Sequence, residues 1–131
     1  MSLHLETKLE ITSWDEKPYR ELPDGSKFTQ AKVEIGDDEL GASWEALMYY
    51  AADGTCTYVT LMQVTGRLGE RSGSFVLQGT GTHDGTTATG RCTIVPGSGT
   101  GELAGITGTL TTVSTHADYP YMPLTLEYEV G

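Results

Sequence analysis

In the largely apolar run from Leu40 to Ala51, Glu45 is the only charged residue. A carboxyl facing a dry interior must be paired, hydrogen-bonded or kept protonated, and in that state it can orient a ligand or move a proton. Strand parity decides which way it looks. Ser43, Glu45, Leu47 and Tyr49 share one face of a strand through this run, while Ala42, Trp44, Ala46, Met48 and Tyr50 share the other. The expectation is that the Glu45 set lines the interior, where the carboxyl meets Tyr49, Gln63 and a bound molecule. Trp14 and Phe75 complete the candidate ligand-binding residues. The plain alternative is a carboxylate pointing to solvent on an amphipathic strand.

Other chemistry finds less support. Gly99-Thr100-Gly101-Glu102-Leu103-Ala104 satisfies the dinucleotide pattern G-x-G-x-x-G/A, but that pattern works only at the start of a helix whose N-terminus faces the phosphates. Gly105, Gly108 and the threonines that follow cannot supply such a helix, so the stretch from Pro96 to Gly105 reads as a structural loop. His4, His83 and His116 are dispersed, and Cys56 and Cys92 form no C-x-x-C, so no metal ligand set is expected. His83-Asp84 and His116-Ala117-Asp118 read as solvated turn formers. The serine-hydrolase elbow G-x-S-x-G is absent. No cofactor is expected, and both cysteines read as reduced thiols packed as small hydrophobes.

Eighteen acids against eight bases give a net charge of −10, which repels nucleic-acid phosphates and anionic lipid. Twelve of those acids precede residue 54, so the negative field is strongest in the N-terminal half. The first residues carry neither a basic nor an apolar leader segment, and no stretch approaches the roughly 20 apolar residues of a membrane span. A cytoplasmic domain with neither nucleic-acid nor membrane partners is expected.

The elements that must position these residues are strands. Glycine (17) and threonine (20) are abundant, which favours tight turns and β-branched strands over long helices. Leu5, Thr7, Leu9 and Ile11 alternate with polar partners, as do Ala31, Val33 and Ile35, and then Leu124, Leu126, Tyr128 and Val130. Further strands are expected near 40–51, 57–66, 74–82, 86–95 and 108–114. Asp53-Gly54 and Asp84-Gly85 fall between them as hairpin signals. Pro23 to Ser26 reads as a turn, and Trp14 to Leu22, rich in charge and holding Pro18, as a long loop. Residues 39–52 also fit a helix with Leu40, Trp44, Leu47 and Ala51 on one stripe. Eight strands joined by short turns leave exposed edges unless they close, so one all-β domain over residues 1–131, an eight-stranded antiparallel closed barrel, is expected.

Several stretches resemble a bacterial family of small uncharacterised proteins: Thr12 to Glu16 with Pro18-Tyr19, Glu45 to Tyr50 with Asp53-Gly54, Val64 to Gly66, Gly69 to Gln78, and above all Val95 to Gly105. The resemblance implies a barrel similar to that of allene oxide cyclase and, more distantly, of dirigent proteins, and it implies that residues 39–52 form a strand. Barrel enzymes of that kind bind hydrophobic substrates and use few polar groups, an inward glutamate among them. The reading is a barrel that binds a small, largely apolar molecule. An isomerase or cyclase acting on such a molecule is the alternative, and a structural oligomer with a filled core is the third. Because both parities of Leu40–Ala51 are apolar and one interior can bury only one, self-association is expected, as a dimer first and a trimer second.

Overall fold

The computed structural model describes residues 2–130. Eight strands follow one another: β1 (Leu3–Glu21), β2 (Lys27–Gly36), β3 (Leu40–Tyr50), β4 (Cys56–Leu68), β5 (Arg71–His83), β6 (Thr87–Ile94), β7 (Thr107–Thr115) and β8 (Tyr121–Glu129). Each pairs antiparallel with its neighbours in the chain, and β8 returns to pair with β1, so the strands form a ring. Alternation decides what each strand buries. Ala31, Val33 and Ile35 face inwards and Gln30, Lys32 and Glu34 outwards, as period-2 patterning requires. Residues 40–50 are strand and not helix.

The correction to the sequence reading is β1. Trp14 to Glu21 is strand rather than loop, because it pairs with β2 from Glu10↔Gly36 to Glu21↔Lys27. Pairing between β1 and β8 ends at Glu10↔Tyr121, so beyond that point β1 has β2 as its only partner strand. A free edge tolerates Pro18, whose missing N–H removes no ladder bond there. Two register shifts interrupt the β1–β2 ladder, one between Ile11 and Ser13 and one between Pro18 and Arg20. The first inserts Thr12 and reverses the parity of β1 from Ser13 to Pro18, and the second inserts Tyr19 and reverses it again.

The two ends of the ring differ. At one end three turns share a design, Asp24-Gly25-Ser26, Asp53-Gly54-Thr55 and Asp84-Gly85-Thr86. In each, the aspartate Oδ1 accepts the backbone N–H two residues on, at 2.9 to 3.0 Å, and the glycine takes φ near +90° to +99°. These bonds favour the ionised aspartate; backbone N–H groups of Thr87 and Thr86 hold Asp84 down at about 2.

At the other end the connection from β6 to β7 folds inwards as a plug. Leu103 and Ile106 are each 1% exposed and join Phe75, Leu77, Ile35 and Leu68 in the core. The plug is tied to β5 by Ser98 Oγ, which accepts from the Val76 N–H, and by Thr100 Oγ1, which accepts from the Ser74 N–H. Gly73 lets it approach, since a Cβ there would sit 2.1 Å from the Thr100 carbonyl oxygen. The glycine-rich stretch is therefore structural, and its short 3₁₀ turn at Gly101–Leu103 offers no phosphate-facing helix.

Truncating the plug empties space that neighbours cannot refill. Leu103→Ala is expected to lower stability by about 2–5 kcal/mol in chemical denaturation, with the native circular dichroism spectrum unchanged.

Candidate functional site

The interior layers follow from the register. Starting at Leu5, partners run through Leu126, Leu110, Cys92, Gly79, Thr60, Ala46 and Ala31, and the path returns to β1 at Glu16 rather than at Leu5. Such a stagger means tilted strands, and it places Glu16 in the same layer as Thr60 and Cys92. Towards the plug the next layer holds Val33, Trp44, Met62, Leu77 and Ile94; towards the open end the next holds Met48, Tyr58, Gly81, Gly90 and Thr112. Side chains shrink along this path. The plug half holds the buried core around Phe75, Leu77, Leu103 and Ile106, and the other half contains a cavity of about 420 Å³ lined by Trp14, Trp44, Met48, Tyr50, Tyr58, Met62, Cys92 and Leu110 among others. Its mouth lies where β1 runs past the start of β8, with Ile11, His116, Tyr119 and Tyr121 on its lining.

Two glycines make room for one large side chain. A Cβ on Gly81 would lie 2.2 Å from the Tyr58 ring, and one on Gly90 would lie 3.2 Å from its hydroxyl oxygen and 2.9 Å from Thr112 Oγ1. Tyr58 thus lies flat against β5 and β6, and its hydroxyl and that of Thr112 sit together on the cavity wall.

Of the candidates read from the sequence, the cavity takes Trp14 alone. Glu45 is a correction: its side chain is 62% exposed on the outer face, opposite Lys32, whose ammonium is 3.9 Å away. The physical reason is size and register. Ala42 and Ala46 fit the crowded interior, and Trp44 enters the layer of Val33 and Met62, so the odd residues must face out. Tyr49 and Gln63 go with Glu45 to the outside, and Phe75 is buried in the plug core.

The inward glutamate is Glu16, placed there by the Thr12 bulge. Its Oε2 accepts hydrogen bonds from Tyr50 Oη at 2.7 Å and Thr29 Oγ1 at 2.9 Å, and its Oε1 accepts from Trp14 Nε1 at 3.1 Å. Three donors on one carboxylate hold Trp14 and Tyr50 in fixed orientations at the rim. Burial, and then the hydrogen bond to Glu16 and its charge, push the Tyr50 phenol well above its ordinary value, so it stays a donor. The alternation of Trp14, Glu16 and Pro18 against Ser13, Asp15 and Lys17 was the available signal for this site.

Both thiols line the cavity, buried and unbonded to each other. Burial raises Cys92, and burial followed by the Glu16 charge raises Cys56, with the Tyr50 hydroxyl opposing. His83 and His116 also meet at the mouth, ring centroids 6.1 Å apart. His83 Nδ1 accepts the Gly85 N–H at 3.0 Å. Among the described residues no group of three or more His, Cys, Asp or Glu could hold a metal ion.

An eight-stranded antiparallel ring, plugged at one end and hollow at the other, is thus an architecture able to enclose one small molecule. The chain belongs to the family described as "Protein of unknown function (DUF3224)", which it matches over residues 5–128. It is similar to the crystal structure of a protein of unknown function from the same family in Shewanella oneidensis MR-1, with a TM-score of 0.71 and 23% identity, covering 98% of this chain and 99% of that one. At that identity the likeness is one of fold. No curated protein matches the chain.

A raised pKa leaves less thiolate at any given pH. Cys56 and Cys92 are therefore expected to react with iodoacetamide more slowly than the same thiols in the denatured chain, and to gain reactivity only at more alkaline pH. Equal native and denatured rates at pH 9 would contradict the assignment.

Proposed function

We propose that this protein binds a small, largely apolar molecule in the hollow half of its ring. The observation that carries the reading is the lining of the cavity: two tryptophans, several tyrosines and methionines, and no Lys, Arg, Asp or Glu. Its volume of about 420 Å³ falls within the roughly 300–1,000 Å³ of small-molecule sites. The hydroxyls of Tyr58 and Thr112 are the kind of sparse polar groups that orient a bound molecule. The empty half also argues against a structural oligomer with a filled core.

The isomerase or cyclase reading, which draws on likeness to an allene oxide cyclase-like closed barrel, has one supporting feature, an inward glutamate in Glu16. Glu16 is engaged by three donors and Tyr50 is held protonated, so binding is the better supported role. A cytoplasmic location belongs to the same proposal; among the described residues no helix is long and apolar enough to cross a membrane.

Nile red, a neutral apolar dye, is expected to bind one per chain with a blue-shifted emission and to quench Trp14 and Trp44. Ala88→Phe, which pushes a phenyl ring into the cavity, is expected to weaken that binding at least tenfold while keeping the native circular dichroism spectrum. Unchanged dye affinity in the folded variant would place the dye elsewhere and sink the reading.

Self-association is proposed on separate grounds. Leu47, Val59 and Leu61 are each about half exposed on the outer face of β3 and β4, continuous with Phe28 and Tyr49, whose rings are 5.7 Å apart. Lys32 and Glu45 flank this patch with opposite charges, so the face is complementary to a second copy of itself. Light scattering is expected to give a dimer before a trimer, and Leu61→Glu to yield monomer. A wild-type monomer at high micromolar concentration would end this proposal.

A further inference from the structure

The rim of the cavity is built from aromatic rings that a carboxylate holds by their polar edges. Trp14 and Trp44 stand nearly perpendicular, 80° apart with centroids 6.2 Å from each other, so they form two walls of a box. Tyr50 joins them on the lining. Glu16 accepts hydrogen bonds from both the Trp14 indole N–H and the Tyr50 hydroxyl. Each bond draws the donor's proton towards the carboxylate and leaves more electron density on the ring, which deepens the negative potential of its face. The faces of such rings attract cations.

The rim already shows this attraction. The Lys27 ammonium sits 5.4 Å from the centroid of Tyr50, and the Lys8 ammonium 5.4 Å from that of Tyr121, and both tyrosines line the cavity. Inside, no lysine or arginine supplies a positive charge, and His83 accepts a hydrogen bond at Nδ1. The chain as a whole carries a net charge of −10. An anionic ligand would meet the Glu16 carboxylate, and the two rim ammoniums, of Lys27 and Lys8, already lie over tyrosine rings. A cation of low hydration would find aromatic faces, a nearby carboxylate and an apolar interior for the rest of its body.

We propose that the ligand is an organic cation, a quaternary or tertiary ammonium carrying an apolar group, with its charged head between Trp14, Trp44 and Tyr50 and its apolar part in the cavity. This rests on the binding reading above and narrows it to one chemical class.

The test compares benzyltrimethylammonium with neopentylbenzene, which has the same shape with carbon in place of the charged nitrogen, by tryptophan fluorescence and calorimetry on the full chain. The cation is expected to bind at one site at least tenfold more tightly than the neutral isostere. Glu16→Gln is expected to bring that ratio close to one while leaving the isostere's affinity alone. Glu34→Gln, which removes an equal charge from the outer face of β2, should leave the ratio in place. Should Glu16→Gln fail to fold, Trp14→Leu at a half-exposed position serves instead, with loss of the cation's advantage expected. An isostere bound as tightly as the cation, or a preference that survives Glu16→Gln or Trp14→Leu, overturns the proposal. If Nile red binds in the cavity and the cation shows no preference, only this inference falls; if neither the dye nor either probe binds, the binding reading falls with it.

Discussion

The arrangement depends on β1, which must satisfy two partner strands whose registers do not agree. Its first half pairs with β8 and turns its odd residues, Leu5, Thr7, Leu9 and Ile11, to the interior. Its second half pairs only with β2 and turns in the even residues, Trp14, Glu16 and Pro18. Thr12 is the extra residue that reconciles them. Without it, the period of two would put Ser13, Asp15 and Lys17 against the interior and Trp14 and Glu16 in water. One inserted residue thereby decides both the stagger at which β1 meets its two neighbours and which polar group lies at the mouth.

The seam at β1 is also where the ring draws on electrostatics. His4 Nδ1 bonds the Glu127 carboxylate across the β1–β8 pair, and His4 Nε2 lies 3.2 Å from Glu6 Oε1. Hydrogen bonds first to Glu127 and then to Glu6 raise the pKa of this exposed histidine above its ordinary value. The remaining strands need no such tie, because hairpin turns hold their registers. The three Asp-Gly-Ser/Thr turns at the open end set those registers locally, and the plug does so at the other end through Ser98 and Thr100.

Much of this was legible in the sequence. Period-2 alternation in three runs and turn signals between the rest placed eight strands, seven of them to within a few residues, and Asp-Gly pairs marked hairpins between them. The glycine-rich loop was read correctly as structure, since no helix could follow it. Residues 39–52, where both parities are apolar, stayed open between strand and helix until a family resemblance decided it. The misreadings share one cause. Alternation reveals faces but not which face is inner when both are apolar, and the strand holding Glu45 is such a case; the size limit that selects Ala42 and Ala46 for the interior comes from neighbouring strands. At Trp14 to Glu21 the alternation restarts out of phase after Thr12, and the charges and Pro18 hid it. The sequence reading turned Glu45 inwards, and the structure turns Glu16 inwards instead.

The solid plug has a further consequence. Leu103, Ile106 and Phe75 fill one end, and the strand ladders run round the sides except where β1 and β8 part beyond Glu10↔Tyr121, so the mouth lies at that gap. On the proposed binding role, a guest would leave by the route it entered, and a second molecule could not displace it from behind. Its residence time would then be governed by side-chain rotation of Trp14, Tyr119 and Tyr121 at that mouth and by motion of the β7–β8 connection, not by parting of the strands. Capacity and exchange rate would then be set in different parts of the molecule: Gly81 and Gly90, by seating the Tyr58 ring against the wall, fix how much the hollow could hold, and the rim would fix how fast it trades contents.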